Sequence, residues 1–253
     1  MKALALVLSL FAASAAAAPD VSKRPVARAG TDARSGAVAQ SVQTQEAAAT
    51  PAPAIGGSLR PSLRPRAIEK RIMSRRAQRR KGQVCGDVDL QGDEVGPVPG
   101  RIAGCGIQDA VRLRSVSGVT LSQAAIMDCS TAKALKKWTE KGAKPALRNT
   151  GGGLVRYRVA AHYACRTRNN QRGARISEHG KGRAIDISGF TLQDGSTLTV
   201  LNDWNSRHRR ALRSMHKAAC GPFGTVLGPN SDRFHRDHFH FDTARYRSGP
   251  FCR

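Results

Sequence analysis

Two short clusters of histidine and aspartate are the residues best suited to chemistry. The first places His179 and Asp186 seven positions apart in the stretch SEHGKGRAID, which begins at Ser177. The second is the run Asp237-His238-Phe239-His240. Imidazole and carboxylate groups in this combination form ligand sets for catalytic zinc that leave one coordination position for water. The sequence therefore predicts a hydrolytic zinc site, built from segments far apart in the chain.

The first cluster also fits a known signature. Serine, histidine, glycine, alanine and aspartate are spaced as SxHxxGxAxD, at Ser177, His179, Gly182, Ala184 and Asp186. This pattern resembles the signature of the zinc peptidases that include D-Ala-D-Ala carboxypeptidases and dipeptidases, some endolysins and the hedgehog fold. The resemblance implies an antiparallel sheet that carries the metal on one face and is flanked by helices. It also implies that the histidine and the aspartate bind Zn2+.

In these enzymes a third ligand comes from a later HxH or [ED]xxH motif. Both forms overlap in residues 237–240, so the resemblance implies His240 as the third ligand beside His179 and Asp186. It leaves two candidates for the general base, Asp237 and His238. On an extended strand His238 and His240 share a face and Asp237 points away, whereas a turn before His238 would bring Asp237 back. We predict Asp237 as the base and His238 as a supporting residue.

Three further residues have roles suggested by their position. Relatives often carry an arginine at the end of a comparable strand, and Arg166 matches it as a donor to the substrate carbonyl or carboxylate. We expect Ser177 to shape the His179 loop by a local hydrogen bond. Glu178 is predicted to face solvent, as most glutamates do.

A second resemblance covers a larger part of the chain. Residues 84–253 look like the bacterial extensin-like C-terminal domain family, on the strength of the segments CRTRNN at 165–170, AIDISGF at 184–190 and FGTVLGP at 223–229. The name of that family records a likeness to plant wall proteins and implies no activity.

Periodicity predicts an α+β class, with a sheet flanked by helices. Thr120–Gln123 resembles a capping box and predicts a helix that continues to Trp138. Strands are predicted at 155–161, 184–190, 197–201 and 239–241, and a second helix at 203–219. The six cysteines favour disulfides, for which we expect the sequential pairs Cys85–Cys105, Cys129–Cys165 and Cys220–Cys252.

The N-terminal part of the chain predicts that the protein is exported. Residues 1–18 read as a signal peptide, and residues 19–83 as a disordered basic linker rich in proline, alanine and arginine, before a domain over 84–253. The net charge of +24 favours anionic envelope polymers, with a possible contact between residues 58–81 and an anionic membrane. Few aromatic residues and the export signal argue against nucleic acid.

Two functions fit these features. The first is a periplasmic zinc peptidase that cuts peptidoglycan stem peptides or cross-links. The alternative is a non-catalytic wall-binding or structural module on the same fold, because a fold alone does not fix an activity.

Overall fold

The computed structural model describes residues 65–253, which fold around one large sheet. The predicted signal peptide and linker residues 19–64 lie outside this part. The strands are β1 (Gln83–Val84), β2 (Asp87–Pro99), β3 (Gly106–Val116), β4 (Val119–Asp128), β5 (Leu154–Ala161), β6 (Ala184–Leu192), β7 (Thr197–Thr199), β8 (Thr225–Leu227), β9 (Phe239–Asp242) and β10 (Phe251–Cys252). The helices are α1 (Arg66–Lys81), α2 (Cys129–Trp138), α3 (Lys144–Leu147), α4 (Val200–Asp203) and α5 (Arg209–Ala219).

The α+β class is confirmed, but the sheet is mixed where an antiparallel one was expected. Its order is β1-β2-β3-β4-β5-β6-β9-β8-β10, and β7 also pairs with β6. Two pairs are parallel, β4 with β5 and β8 with β10. Between β4 and β5 the chain crosses over through α2 and α3 before it re-enters the sheet. Such a crossover delivers the second strand parallel to the first.

The helix predicted from Thr120 to Trp138 is wrong in its first half and confirmed in its second. Residues 119–128 form strand β4, and helix α2 begins only at Cys129, where the Asp128 carboxylate accepts from the backbone N–H of Thr131 at 2.7 Å. Val119, Leu121, Ala125 and Met127 of β4 are buried, whereas Ser122 and Gln123 between them are exposed. Leu121 and Ala125 lie on the same face of the strand because their separation is even, and that separation of four residues also imitates a helix.

The later elements match the predictions more closely. Strands β5, β6 and β9 form where strands were predicted. The predicted strand 197–201 ends at Thr199, whose hydroxyl accepts from Asn202 N–H at 3.2 Å and starts α4. The predicted helix 203–219 is regular only from Arg209.

An aromatic core packs between the sheet and the helices. Trp138 of α2 lies 5.4 Å from the ring of Tyr157 and 4.8 Å from that of Phe241, and all three are fully buried. On β9 the core residues Phe239 and Phe241 alternate with His240 and Asp242. Because side chains alternate along a strand, those two polar residues lie on the opposite face of the sheet.

Helix α1 occupies a segment that the sequence was expected to leave disordered. None of its residues is buried, and its contact with β2 includes an ion pair between Arg79 and Asp89 at 2.5 Å. Arginine, lysine and alanine favour helix intrinsically, which explains a helix that buries no apolar face. No helix within residues 65–253 is both long and apolar enough to cross a membrane.

Three disulfides are present, of which one was predicted. Cys220–Cys252 has the expected pairing, whereas the other two are Cys85–Cys129 and Cys105–Cys165. The sequential guess fails because β2 and β3 form a long hairpin that separates Cys85 from Cys105. Cys85 follows β1 and meets the start of α2, and Cys105 precedes β3 and meets the loop after β5.

This pairing predicts a definite result from tryptic digestion of the unreduced protein. Trypsin separates all six cysteines, because each lies in a different peptide: 82–101, 102–112, 115–133, 159–166, 218–233 and 248–253. Mass spectrometry should find 82–101 joined to 115–133, and 102–112 joined to 159–166. Peptide 82–101 joined to 102–112 would contradict this fold.

Candidate metal centre

Strand pairing brings the two predicted ligands on the sheet together. Asp186 of β6 is the direct antiparallel partner of His240 of β9, so both side chains rise from the same face. The Asp186 Oδ1 lies 2.8 Å from Nδ1 of His240. Both residues are buried, with 4% and 9% of their surface exposed.

A tight 3₁₀ turn at Glu178–Lys181 supplies the third predicted ligand. The Ser177 hydroxyl accepts from the backbone N–H of His179 at 3.4 Å, which confirms the predicted role of this serine. Gly182 ends the turn with a φ of 69°, a left-handed conformation that glycine adopts without strain. The Nε2 of His179 then lies 3.1 Å from Asp186 Oδ2 and 3.2 Å from His240 Nδ1.

His179 and His240 each use the ring nitrogen that points away from Asp186 in a hydrogen bond. The Nδ1–H of His179 donates to the His162 carbonyl at 2.8 Å, and the Nε2–H of His240 donates to Asp242 Oδ2 at 3.1 Å. These bonds fix both tautomers and turn the free lone pairs towards Asp186. One atom from each of His179, Asp186 and His240 lies within 4.8 Å of the others, so this donor set fits a divalent cation such as zinc.

The charges of the site also favour a cation at this point. Burial alone would lower the pKa of His240, but hydrogen bonds to Asp186 and Asp242 outweigh it and raise the pKa to about 9. Burial would raise the pKa of Asp186, yet hydrogen bonds from His179 and His240 hold it well below its usual range. The buried Asp186 carboxylate therefore stays ionised beside the histidines and requires positive charge next to it.

The two candidates for the general base differ in position. His238 points its Nε2 towards the trio, 3.7 Å from Asp186 Oδ2. Its Nδ1–H donates to Asp237 Oδ1 at 2.8 Å. The Asp237 side chain is 65% exposed and reaches the trio only through this histidine. Residues 235–238 form a bend and not a strand, yet Asp237 points away from the trio, as in the extended alternative considered from the sequence.

The trio and His238 open into a cavity of about 900 Å³, which Arg166 also lines. Arg166 is half-buried and forms no ion pair with any acidic residue within 65–253. The prediction for Glu178 was wrong, since it is only 7% exposed, lines this cavity and pairs with Lys181 at 2.7 Å. The 3₁₀ turn that presents His179 forces its neighbour inward as well.

The sequence analysis missed two acidic residues beside the site. Asp242 orients His240, and its spacing of two positions along a strand was a signal that it shares the same face. Asp232 accepts from Nδ1–H of His235 at 2.7 Å, and the His235 ring lies 5.3 Å from that of His238 and 5.6 Å from that of His240. No pattern in the sequence pointed to Asp232.

Comparison with known proteins places this domain in one family. The family model described as Extensin-like protein C-terminus matches residues 87–253. A search of the curated proteins and a search of the solved structures found no match. The matched region includes every residue of the candidate centre and about two thirds of the chain. The chain therefore belongs to the family of the extensin-like protein C-terminus.

Proposed function

We propose that this protein is an exported zinc-dependent peptidase that hydrolyses peptide bonds in peptidoglycan stem peptides or cross-links. The observation that carries the proposal is the convergence of His179, Asp186 and His240 on one point at an open cavity. Without a metal, a proton on His240 must balance the buried Asp186 carboxylate, and a divalent cation would supply that positive charge instead. A zinc ion held by His179, Asp186 and His240 would supply Lewis acidity towards a water molecule and a peptide carbonyl.

The residues around this trio supply the remaining requirements of peptide hydrolysis. His238 has its lone pair on the Nε2 that faces the trio, because Nδ1–H is bonded to Asp237. It is therefore the better candidate to take the proton from water and return it to the leaving amine. In this proposal Asp237 is a positioning residue that holds His238 in the active tautomer, and the order expected from the sequence is reversed.

Arg166 is the candidate cationic donor. Its guanidinium lines the cavity and forms no ion pair within residues 65–253, so its donors remain free for a substrate carbonyl or carboxylate. Glu178 keeps its own partner in Lys181 and is not needed for the chemistry.

The envelope is the setting that best fits the rest of the chain. Three disulfides are compatible with an oxidising compartment, and the N-terminal sequence has the pattern of a signal peptide. Helix α1 carries eight basic residues and one acidic residue. Because these charges surround the helix and no apolar face is formed, electrostatic attraction to an anionic polymer is favoured over insertion into a bilayer.

Metal content tests the centre itself. The protein purified after export should bind about one zinc per chain, and His179→Ala and His240→Ala should each lose it because two ligands cannot hold zinc tightly. Elemental analysis after dialysis measures this. His208→Ala is the matched control, since this histidine occupies the N-cap position of α5 without a side-chain capping hydrogen bond and lies outside the cavity. Zinc that stays bound in both ligand variants would refute the centre.

Cleavage tests the chemistry. Wild-type protein incubated with purified peptidoglycan should release new peptide ends detectable by mass spectrometry. His238→Ala should keep its zinc and lose about 10²- to 10⁴-fold in kcat, the usual contribution of an acid–base group. Asp237→Asn should lose less, because the imidazole remains. A larger loss in Asp237→Asn would restore Asp237 as the base, and zinc binding without any cleavage would favour the wall-binding module.

Salt dependence tests the role of α1. Replacing Arg71, Arg75, Arg76 and Arg80 with glutamine removes four charges and spares Arg79, which pairs with Asp89. Binding to purified sacculi, measured by co-sedimentation, should then be weaker. It should also be lost at a lower NaCl concentration than the binding of wild type, because fewer counterions are released. The pair Ile68→Gln and Met73→Gln, both exposed, is the control for apolar contact and should change little. A larger effect of that pair would indicate a membrane contact instead.

A further inference from the structure

The exposed aromatic side chains of residues 65–253 are concentrated at one place. Within residues 65–253, the aromatic residues among the large apolar side chains that are exposed are Phe234, Tyr246 and Phe251, at 41%, 44% and 44%. All three line the cavity of the candidate metal centre. Exposed apolar side chains scattered singly need no explanation, but a cluster at a cavity marks a binding surface.

Guanidinium groups accompany two of these rings. Arg233 lies over the ring of Phe234 at 4.8 Å, and Arg253 lies over that of Phe251 at 5.0 Å. A guanidinium covers one face of a ring and leaves the other face to a ligand. The cavity therefore offers flat apolar ring faces, and Arg166 and Arg168, which line the same cavity, supply hydrogen-bond donors. No large aliphatic side chain of the described residues is exposed in the cavity lining.

This combination matches a pyranose ring. A sugar presents C–H groups on one face, which stack on an aromatic ring, and hydroxyl groups at its edge, which accept from arginine. An aliphatic peptide side chain has no polar edge to meet the guanidinium groups. The cavity of about 900 Å³ is also at the upper end of the range of roughly 300–1,000 Å³ for small-ligand sites, so it has room for more than the residues beside a cleaved bond.

The sheet sets the distance between this surface and the metal centre. Asp242 of β9 pairs with Thr225 of β8, and Thr225 pairs with Phe251 of β10. Residues paired across strands point to the same face, so Phe251 rises on the face that carries His240. With about 4.8 Å between strands and 3.3 Å per residue along them, Phe251 lies about 12 Å from His240. That distance equals three or four residues of an extended peptide.

We propose that Phe234, Tyr246 and Phe251 form a glycan subsite that binds the sugar strand to which the stem peptide is attached. This inference rests on the proposed function for its choice of glycan, and it adds that the substrate is recognised by its sugar as well as by its peptide. The spacing favours a cleaved bond three or four residues from the sugar.

Binding of chitotetraose, a soluble tetramer of β-1,4-linked N-acetylglucosamine, tests the subsite by isothermal titration calorimetry. Wild type should bind it, and Phe234→Ala and Phe251→Ala should each weaken binding about two- to tenfold, the usual loss for one aromatic contact. Phe251→Tyr should retain binding, whereas Phe251→Leu should lose it because the flat face is gone. Leu201→Ala, exposed and outside the cavity, is the matched control.

The same titrations with His240→Ala separate this inference from the proposed peptidase. Chitotetraose binding that persists in His240→Ala supports the subsite even if the protein cleaves no peptide. The subsite is overturned if wild type does not bind chitotetraose, or if the phenylalanine variants bind it as wild type does. It is also overturned if those variants lose as much affinity for a sugar-free stem peptide, since the rings would then contact peptide.

Discussion

The need for a shared proton or cation among three buried side chains is the constraint on which the site depends. His179 Nε2, His240 Nδ1 and the Asp186 carboxylate face one another within 4.8 Å, away from bulk water. Neither lone pairs nor carboxylates tolerate such proximity without a shared proton or cation. Because the outer nitrogen of each histidine is bonded to a fixed acceptor, neither ring can escape by exchanging tautomers. The surrounding backbone holds this arrangement ready for a positive charge, as in preorganised metal sites.

The backbone maintains the arrangement by two different means. Asp186 and His240 are held by strand pairing in the middle of the sheet. His179 belongs to a turn that packs closely against Cys105. A Cβ built on Gly180 of this turn would lie only 3.0 Å from Cys105 Sγ. The disulfide Cys105–Cys165 therefore contacts the turn directly and ties it to the loop after β5. This close contact explains a glycine at position 180.

Prediction from the sequence succeeded where a local pattern decided the structure and failed where distant pairing did. The alternation in β5 and β9 was visible in the sequence, as was the spacing of His179 and Asp186. The buried face of β4 includes Leu121 and Ala125, whose spacing of four residues suits a helix as well as a strand, and only the pairing with β3 decides between the two. The disulfides of Cys85 and Cys105 depended on how a long hairpin folds, which no spacing reveals. Glu178 is buried because the turn to which it belongs is buried. Its residue type alone predicts the opposite, since glutamates are usually exposed.

The site and the core are specified by the same strand register. On β9, Phe239 and Phe241 enter the aromatic core while His240 and Asp242 face the cavity. A shift of one residue would exchange the two sets, burying a histidine and an aspartate among Trp138 and Tyr157 and exposing two phenylalanines to water. Both consequences are costly, so apolar burial on one face fixes the polar residues on the other. The precision of the candidate metal centre thus derives from the hydrophobic core behind it, and the rings of Phe239 and Phe241 position the site without touching a substrate.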